Sequence, residues 1–82
     1  MENTRVAVIA IILESGDCAE KVNALLHEYS AYIIGRMGLP YPARGIHIIS
    51  VALDAPIDAI NALSGKLGRL DGVSAKTAYQ AQ

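Results

Sequence analysis

Three observations on the amino-acid sequence predict a small α+β domain. The stretches Arg5–Leu13 and Ile46–Leu53 are apolar on both faces of any strand that they could form. Two further segments, residues 17–30 and 54–70, repeat apolar residues at the spacing of an amphipathic helix. Because a further strand follows each helix, the element order is β-α-β-β-α-β. This order predicts a ferredoxin-like fold, with two helices on one face of a four-stranded antiparallel sheet and strands one and three in its centre.

The composition of the chain excludes several classes of protein. Its 82 residues are 52% hydrophobic and contain neither Trp nor Phe, so we expect one domain, residues 1–82, with an aliphatic core. A net charge of −1 does not predict binding to nucleic acid, which needs a basic face, and leaves room only for a small local basic patch. The single cysteine, the absence of a signal-peptide pattern and an apolar run about half as long as a membrane-spanning helix indicate a cytoplasmic protein without a membrane partner.

The first strand is predicted at Arg5–Leu13, where β-branched residues favour a strand over a helix. Asp17 and Glu20 then have the spacing of a capping box, so the first helix should begin at Asp17 and continue to about Ser30. The stripe of this helix that should be buried consists of Cys18, Val22, Leu25, Leu26 and Tyr29.

The second half of the chain repeats this alternation. The second strand is predicted at 31–37, and two prolines with two glycines predict a loop over 38–45. After the third strand, Asp54 should cap the second helix and Pro56 should occupy its first turn. Gly72 suits the left-handed position that ends this helix. Val73–Tyr79 alternates apolar and polar residues, as an edge strand does.

One face of a ferredoxin-like sheet carries no helix. Because both central strands are doubly apolar, each contributes an apolar row to that face, and burial of apolar surface is worth about 25 cal/mol per Å². We therefore predict that a second copy covers the face, in a homodimer or homotetramer; pairing of sheet edges is the alternative. The residues predicted for the oligomer interface are Val8, Ile9, Ile11, Ile34, Ile48 and Ile49.

Three segments also carry a resemblance to a known family. The segments VNALLHEYS at Val22–Ser30, IGRMG at Ile34–Gly38 and ALSGKLG at Ala62–Gly68, with Gly72–Val73 after them, resemble the iron-only hydrogenase system regulators. Members of this family are small ferredoxin-like domains, similar to ACT domains and to the C-terminal domain of nickel-responsive repressors. The resemblance implies a transcription-associated regulatory module that senses a small ligand and forms oligomers.

The resemblance also points to candidate ligand residues. ACT-type domains bind effectors at the turn after the first strand, which corresponds here to Ser15, Gly16 and Asp17, and the free N–H groups of this turn could hold an anion. Arg36 follows Gly35 in an otherwise apolar strand, so we expect it at the subunit interface.

Nickel-responsive repressors bind metal through alternating histidines on a strand and a cysteine, whereas this chain has only His47 on the corresponding strand. We expect no metal site within one chain, although a site shared between subunits could use His47. His47 thus joins Ser15, Gly16, Asp17 and Arg36 as a candidate ligand residue.

The residue sets that catalysis requires are missing from the sequence. Cys18 and His27 point in different directions on the first predicted helix, His47 lies on the third strand, and no Ser-His-Asp or paired-carboxylate pattern is visible. The stretch 64–68, SGKLG, is similar to a phosphate loop but lacks its first Gly and its final Ser or Thr, and it lies within a predicted helix. We therefore predict no enzymatic activity.

The sequence leaves three hypotheses for function. The first is a cytoplasmic homo-oligomeric module that binds a small effector between subunits and signals to another protein or gene regulator. The second is an oligomeric scaffold with no ligand of its own. The third is a regulator that binds DNA directly, which the lack of a DNA-binding arm before the first strand argues against. No cofactor is assigned.

Overall fold

The computed structural model describes residues 3–81, so residues 1 and 82, the predicted bounds of the domain, lie outside the described part of the chain. The strands form one antiparallel sheet in the order β2-β3-β1-β4, which confirms the ferredoxin-like fold and the central position of β1 and β3. The elements are β1 (Thr4–Leu13), α1 (Ala19–Glu28), β2 (Ile33–Tyr41), β3 (Ile46–Pro56), α2 (Ile57–Gly68) and β4 (Val73–Tyr79).

The core lies between the sheet and the two helices and is aliphatic, as the composition predicts. Alternate residues of β1 point toward the helices, and the residues of β3 that pair with them do the same. No aromatic side chain is among the buried residues of the described chain. The buried residues are Ala7, Ile9, Ile11, Leu13, Cys18, Val22, Leu26, Ile49, Val51, Leu53, Ala55, Ile60, Leu63 and Leu67.

Three residues that were predicted for the oligomer interface lie in this core instead. Ile9 and Ile11 are fully buried, and Ile49, which pairs directly with Ile11, is almost so. The prediction drew on both rows of each central strand, but successive side chains of a strand point to opposite faces. Only one row of each strand can therefore reach the face without helices.

The second strand is longer than predicted. A 3₁₀ turn occupies Ser30–Tyr32, and β2 then continues to Tyr41, so that only Pro42–Gly45 remains of the predicted loop. Pro40 has no backbone N–H group to donate. It is accommodated because β2 is an edge strand, so no neighbouring strand on its outer side requires a hydrogen bond from this residue. Glycine and proline predicted a loop here, but pairing with β3 outweighed them.

Neither helix begins with the predicted cap. A 3₁₀ turn that includes Asp17 precedes α1, and no side chain caps either element. Asp54 lies within β3, whose pairing with β1 continues to the pair Thr4–Pro56. Pro56 favours an extended conformation at Ala55, so the strand persists and α2 starts only at the next residue after the proline.

The turn between α2 and β4 has the predicted left-handed glycine. Gly72 has φ +77°, and its carbonyl oxygen accepts a 2.8 Å hydrogen bond from the backbone N–H of Glu14. A Cβ atom at this position would lie 3.8 Å from Cys18 Sγ, which is an ordinary contact. The backbone conformation, not crowding, therefore favours glycine here.

Two glycine substitutions test this account of the turn. Gly72→Ala should lower the free energy of unfolding by about 1–2 kcal/mol, because a Cβ atom is strained at positive φ. The control is Gly68→Ala at the end of α2, where an added Cβ meets no atom within 4 Å; it should raise the free energy of unfolding by up to about 1 kcal/mol. Urea unfolding measures both. Equal effects from the two substitutions would contradict the assignment.

Candidate functional site

The face of the sheet without helices, which we call the open face, is largely apolar. The pairing register places on it the row of β1 that includes Val8 and Ile12, and Ile12 pairs directly with Ile48. On the edge strand β2, Met37 and Leu39 point to the same side and are 61% and 53% exposed. The residues of the open face are Val6, Val8, Ala10, Ile12, Met37, Leu39, Tyr41, Ile46, Ile48, Ser50, Ala52, Asp54, Ser74, Lys76 and Ala78.

The open face is large for such a short chain. Four strands at a spacing of about 4.8 Å, with about nine residues of about 3.3 Å each, give a surface of roughly 500–600 Å² in projection. Its charged side chains, Asp54 and Lys76, lie toward the end of β3 and on the edge strand β4, whereas its apolar surface extends to the opposite edge through Met37 and Leu39 of β2. An apolar surface of this extent is at the upper end of what monomeric proteins expose.

The predicted ligand residues fall into two separate clefts. Ser15 and Asp17 line a cleft of about 490 Å³ beside the turn after β1, together with Lys21, Arg69 and Asp71. The two carboxylates of this cleft balance its two cations. Its thiol, that of Cys18, is buried and donates to the Ser15 carbonyl oxygen at 3.2 Å. Gly16 is not among the residues that line either cleft.

Arg36 and His47 line the second cleft, which we call the α1–β2 groove. Arg36 points to the helix side of the sheet, and its Nη2 atom donates a 2.8 Å hydrogen bond to Asn23 Oδ1 of α1. Sequence reasoning missed Asn23; the available signal was its position next to Val22, on the flank of the buried stripe. The groove has a lobe of about 350 Å³ toward His47 and another of about 400 Å³ toward His27.

The remaining predicted residues are placed as follows. Arg36 and His47 both belong to rows that face the helix side, since they pair with Val51 and Pro40, so neither lies on the open face where a subunit interface was expected. Ile34 is 64% exposed at a point where β2 has one residue more than β3. Among residues 3–81, no three His, Cys, Asp or Glu side chains lie close enough to hold a metal ion.

The stretch that is similar to a phosphate loop forms part of α2, and its lysine is already engaged. Lys66 Nζ donates a 3.0 Å hydrogen bond to the Tyr29 hydroxyl and lies 5.2 Å from the centre of that ring. The hydrogen bond to Tyr29, and then the charge of its phenolate form, raise the pKa of Lys66 by favouring the ammonium form. The arrangement joins the end of α1 to α2.

The comparisons with known proteins identify the family. Residues 5–77 match the family model described as "TM1266-like: Iron-only hydrogenase system regulator, putative". The chain belongs to this family. The uncharacterized protein TM1266 from Thermotoga maritima is 35% identical in sequence, and its structure covers 96% of this chain and 100% of its own with a TM-score of 0.92. The resemblance seen in the sequence is thus confirmed, and with it the membership in a regulator family.

More distant structures share the fold alone. The designed protein Foldit4 superposes with a TM-score of 0.68 at 10% identity, over 98% of this chain and 99% of its own. A nitrogen regulatory PII-like protein, CPII from Thiomonas intermedia K12, superposes with a TM-score of 0.53 at 15% identity, over 96% of this chain and 99% of its own. No curated protein matches the chain. Within residues 3–81, neither helix combines the length and the hydropathy that crossing a membrane requires.

The contact between Lys66 and Tyr29 leads to a prediction about titration. Tyr29→Phe removes the hydroxyl that accepts the hydrogen bond, so the pKa of Lys66 should fall toward its ordinary range. An NMR titration that follows the Lys66 side chain measures this shift. The matched control is Tyr32→Phe in the neighbouring 3₁₀ turn, which should leave the titration of Lys66 unchanged. If Tyr29→Phe has no effect either, the contact does not exist in solution.

Proposed function

We propose that the protein is a cytoplasmic regulatory module, one domain over residues 1–82, that dimerises through its open face and responds to a small effector. The apolar open face is the observation that carries this proposal. Leaving it in water forfeits the free energy of its burial, about 25 cal/mol per Å² of apolar surface. Membership in a regulator family supports the regulatory role.

A second copy of the chain fits this face in size and in charge. Its projected area of roughly 500–600 Å² underestimates the accessible surface, because the side chains protrude, so it is close to the about 800 Å² that each partner buries in a standard interface. Asp54 and Lys76 lie at one end and one edge of the apolar surface, where the polar rim of an interface is expected. Two such dimers could associate further into a tetramer.

The alternative arrangement, pairing of sheet edges between copies, is disfavoured at the β2 edge. The outer edge of β2 is interrupted by the extra residue at Ile34 and by Pro40, which has no N–H group to donate. Bulges and prolines are the features that keep edge strands from pairing with other chains. Edge pairing would also leave the open face in water.

The comparison with a PII-like protein supports a small effector. The PII-like protein CPII, which has a related fold, is described as bound to ADP, AMP and bicarbonate. Regulation then requires only that the effector binds one assembly or conformation more tightly than another. The scaffold hypothesis differs because it requires no effector at all. Direct DNA binding lacks support, since the net charge is −1.

A charge on the open face should disrupt the dimer. Ile12→Lys places an ammonium group in the middle of the proposed interface and should weaken dimerisation by at least about 100-fold, because a buried charge without a partner is costly. Ile57→Lys is the matched control, since Ile57 is 38% exposed but belongs to α2 on the other side of the sheet. Sedimentation velocity at micromolar concentration should show dimers for the wild type and Ile57→Lys, and monomers for Ile12→Lys. A dimer in all three proteins would place the interface elsewhere.

The effector part of the proposal predicts a thermal shift. In a screen of amino acids, nucleotides, short organic acids and divalent metals, at least one compound should raise the unfolding midpoint, because a ligand that binds only the folded state stabilises it by RT ln(1 + [L]/Kd). If no compound raises the midpoint, the scaffold hypothesis replaces the sensor, whereas the dimer is unaffected by that result.

A further inference from the structure

The α1–β2 groove exists because the two helices leave the middle of the edge strand β2 uncovered. On the helix side of the sheet, Ile49 and Val51 of β3 are buried, whereas their neighbours on β2, Gly38 and Arg36, are exposed. A Cβ atom added to Gly38 would meet no other atom within 4 Å. The result is a depression with the backbone of β2 at its floor and α1 as one wall.

Arg36 crosses this depression. Its hydrogen bond to Asn23 holds the guanidinium group against α1, and both residues line the two lobes. The bond uses one of the five N–H donors of the side chain. The remaining donors are therefore held in place beside both lobes. Within the described chain, no other side chain forms a hydrogen bond with Arg36.

No acidic side chain in the walls of the groove balances its positive charge. None of the residues that line either lobe is an aspartate or a glutamate, whereas Arg36 contributes a full positive charge. The cleft beside Ser15 differs, because its two cations face two carboxylates. An anion that enters the α1–β2 groove would thus form charge-assisted hydrogen bonds without displacing a carboxylate.

We propose that the α1–β2 groove binds a small organic acid, with its carboxylate on Arg36 and its apolar body in a lobe. This inference rests on the proposed function in one respect, since the acid would be the effector. A lobe of about 350 Å³ lies within the size range of ligand pockets. Its lining on the helix side includes the exposed Pro40 and the half-buried Ala19, whose apolar side chains suit a hydrocarbon body.

The chemistry of the groove favours a carboxylate over a phosphate. One guanidinium matches one carboxylate in charge and can bind both of its oxygens. Phosphate groups carry more charge, and the groove has a single arginine and no lysine among its lining residues. Most of the groove's lining lies on the helix side, and Leu39 and Ile48 alone among its lining residues belong to the open face, so a dimer formed through that face leaves Arg36 accessible to a ligand.

The test is an NMR titration of the full chain with sodium 4-methylpentanoate, in which the backbone and the Arg and Asn side-chain N–H signals are observed. Saturable shifts should appear at Gly38, at the Asn23 amide and at Arg36. The uncharged 4-methylpentanamide should bind at least about tenfold more weakly, because it lacks the charge-assisted hydrogen bonds. Inorganic phosphate should also bind more weakly, because it lacks the apolar body. Equal binding of either compound would overturn the assignment of an organic acid.

Two variants and a control separate the groove from the fold. Asn23→Asp keeps the size of the side chain but sets a carboxylate against Arg36, and Gly38→Val fills the floor; each should weaken binding of 4-methylpentanoate at least about tenfold. Arg44→Gln removes an exposed arginine of the turn after β2 that does not line the groove, and it should bind as the wild type does. Wild-type affinity in Asn23→Asp, or no saturable shift in the wild type at millimolar probe, would overturn the inference.

The same samples distinguish this inference from the proposed function. Their translational diffusion, measured by NMR, reports whether the protein is dimeric. A dimer whose groove binds none of the probes overturns the organic-acid site and leaves the regulatory dimer in place. A monomer overturns the proposed dimer whether or not the groove binds the acid.

Discussion

Both faces of the sheet are apolar, and the rest of the structure depends on how each of these faces is shielded from water. The paired side chains Ile11 and Ile49 point toward the helices and are buried, whereas the next pair along the strands, Ile12 and Ile48, points the other way. Two helices of 10 and 12 residues can cover only one side. The chain thus folds with an aliphatic core like that of other small domains. Its second apolar surface, the open face, is not covered by any element of the same chain.

The same shortage of helical cover explains the groove. The helices lie over the central strands and β4, and residues of β4 bond to α2, as in the hydrogen bond from Thr77 to Ser64. At the opposite edge, Ile33 at the start of β2 packs against the core, but the middle of the strand receives no such cover, and its helix-side residues there, Arg36 and Gly38, are polar or small. The edge strand therefore offers a place where a charged side chain, Arg36, can lie beside apolar walls. One unmet packing requirement thus leaves, on one side of the sheet, the apolar face that we propose as an interface and, on the other side, the groove that we propose as a ligand site.

The sequence correctly predicted those elements whose pattern of apolar residues matches the sheet pairing that they form in the structure. The strand at Val73–Tyr79 is confirmed at the predicted residues, and Gly72 is left-handed as predicted, but α2 ends earlier than predicted, at Gly68. Local signals failed where pairing outweighed them: Pro40 and Gly38 lie within a strand, and Asp54 extends β3 instead of capping α2. The site was harder to predict, because it depends on which row of a strand faces the helices. His47 and Arg36 meet in one groove only through the register of β2 and β3, and Asn23 joins them from a different element.

The central claim is that the open faces of two copies pack against each other, and an isotope-filtered NOE experiment on a mixture of ¹³C-labelled and unlabelled protein tests it directly. If the open faces pack together, intermolecular contacts are expected from the methyl groups of Val8, Ile12 and Leu39, and none from the fully buried Ile9 and Leu63. Intermolecular contacts confined to helix residues, or no contacts at all at millimolar protein, would contradict the account, because the apolar open face would then be exposed to water in the folded protein.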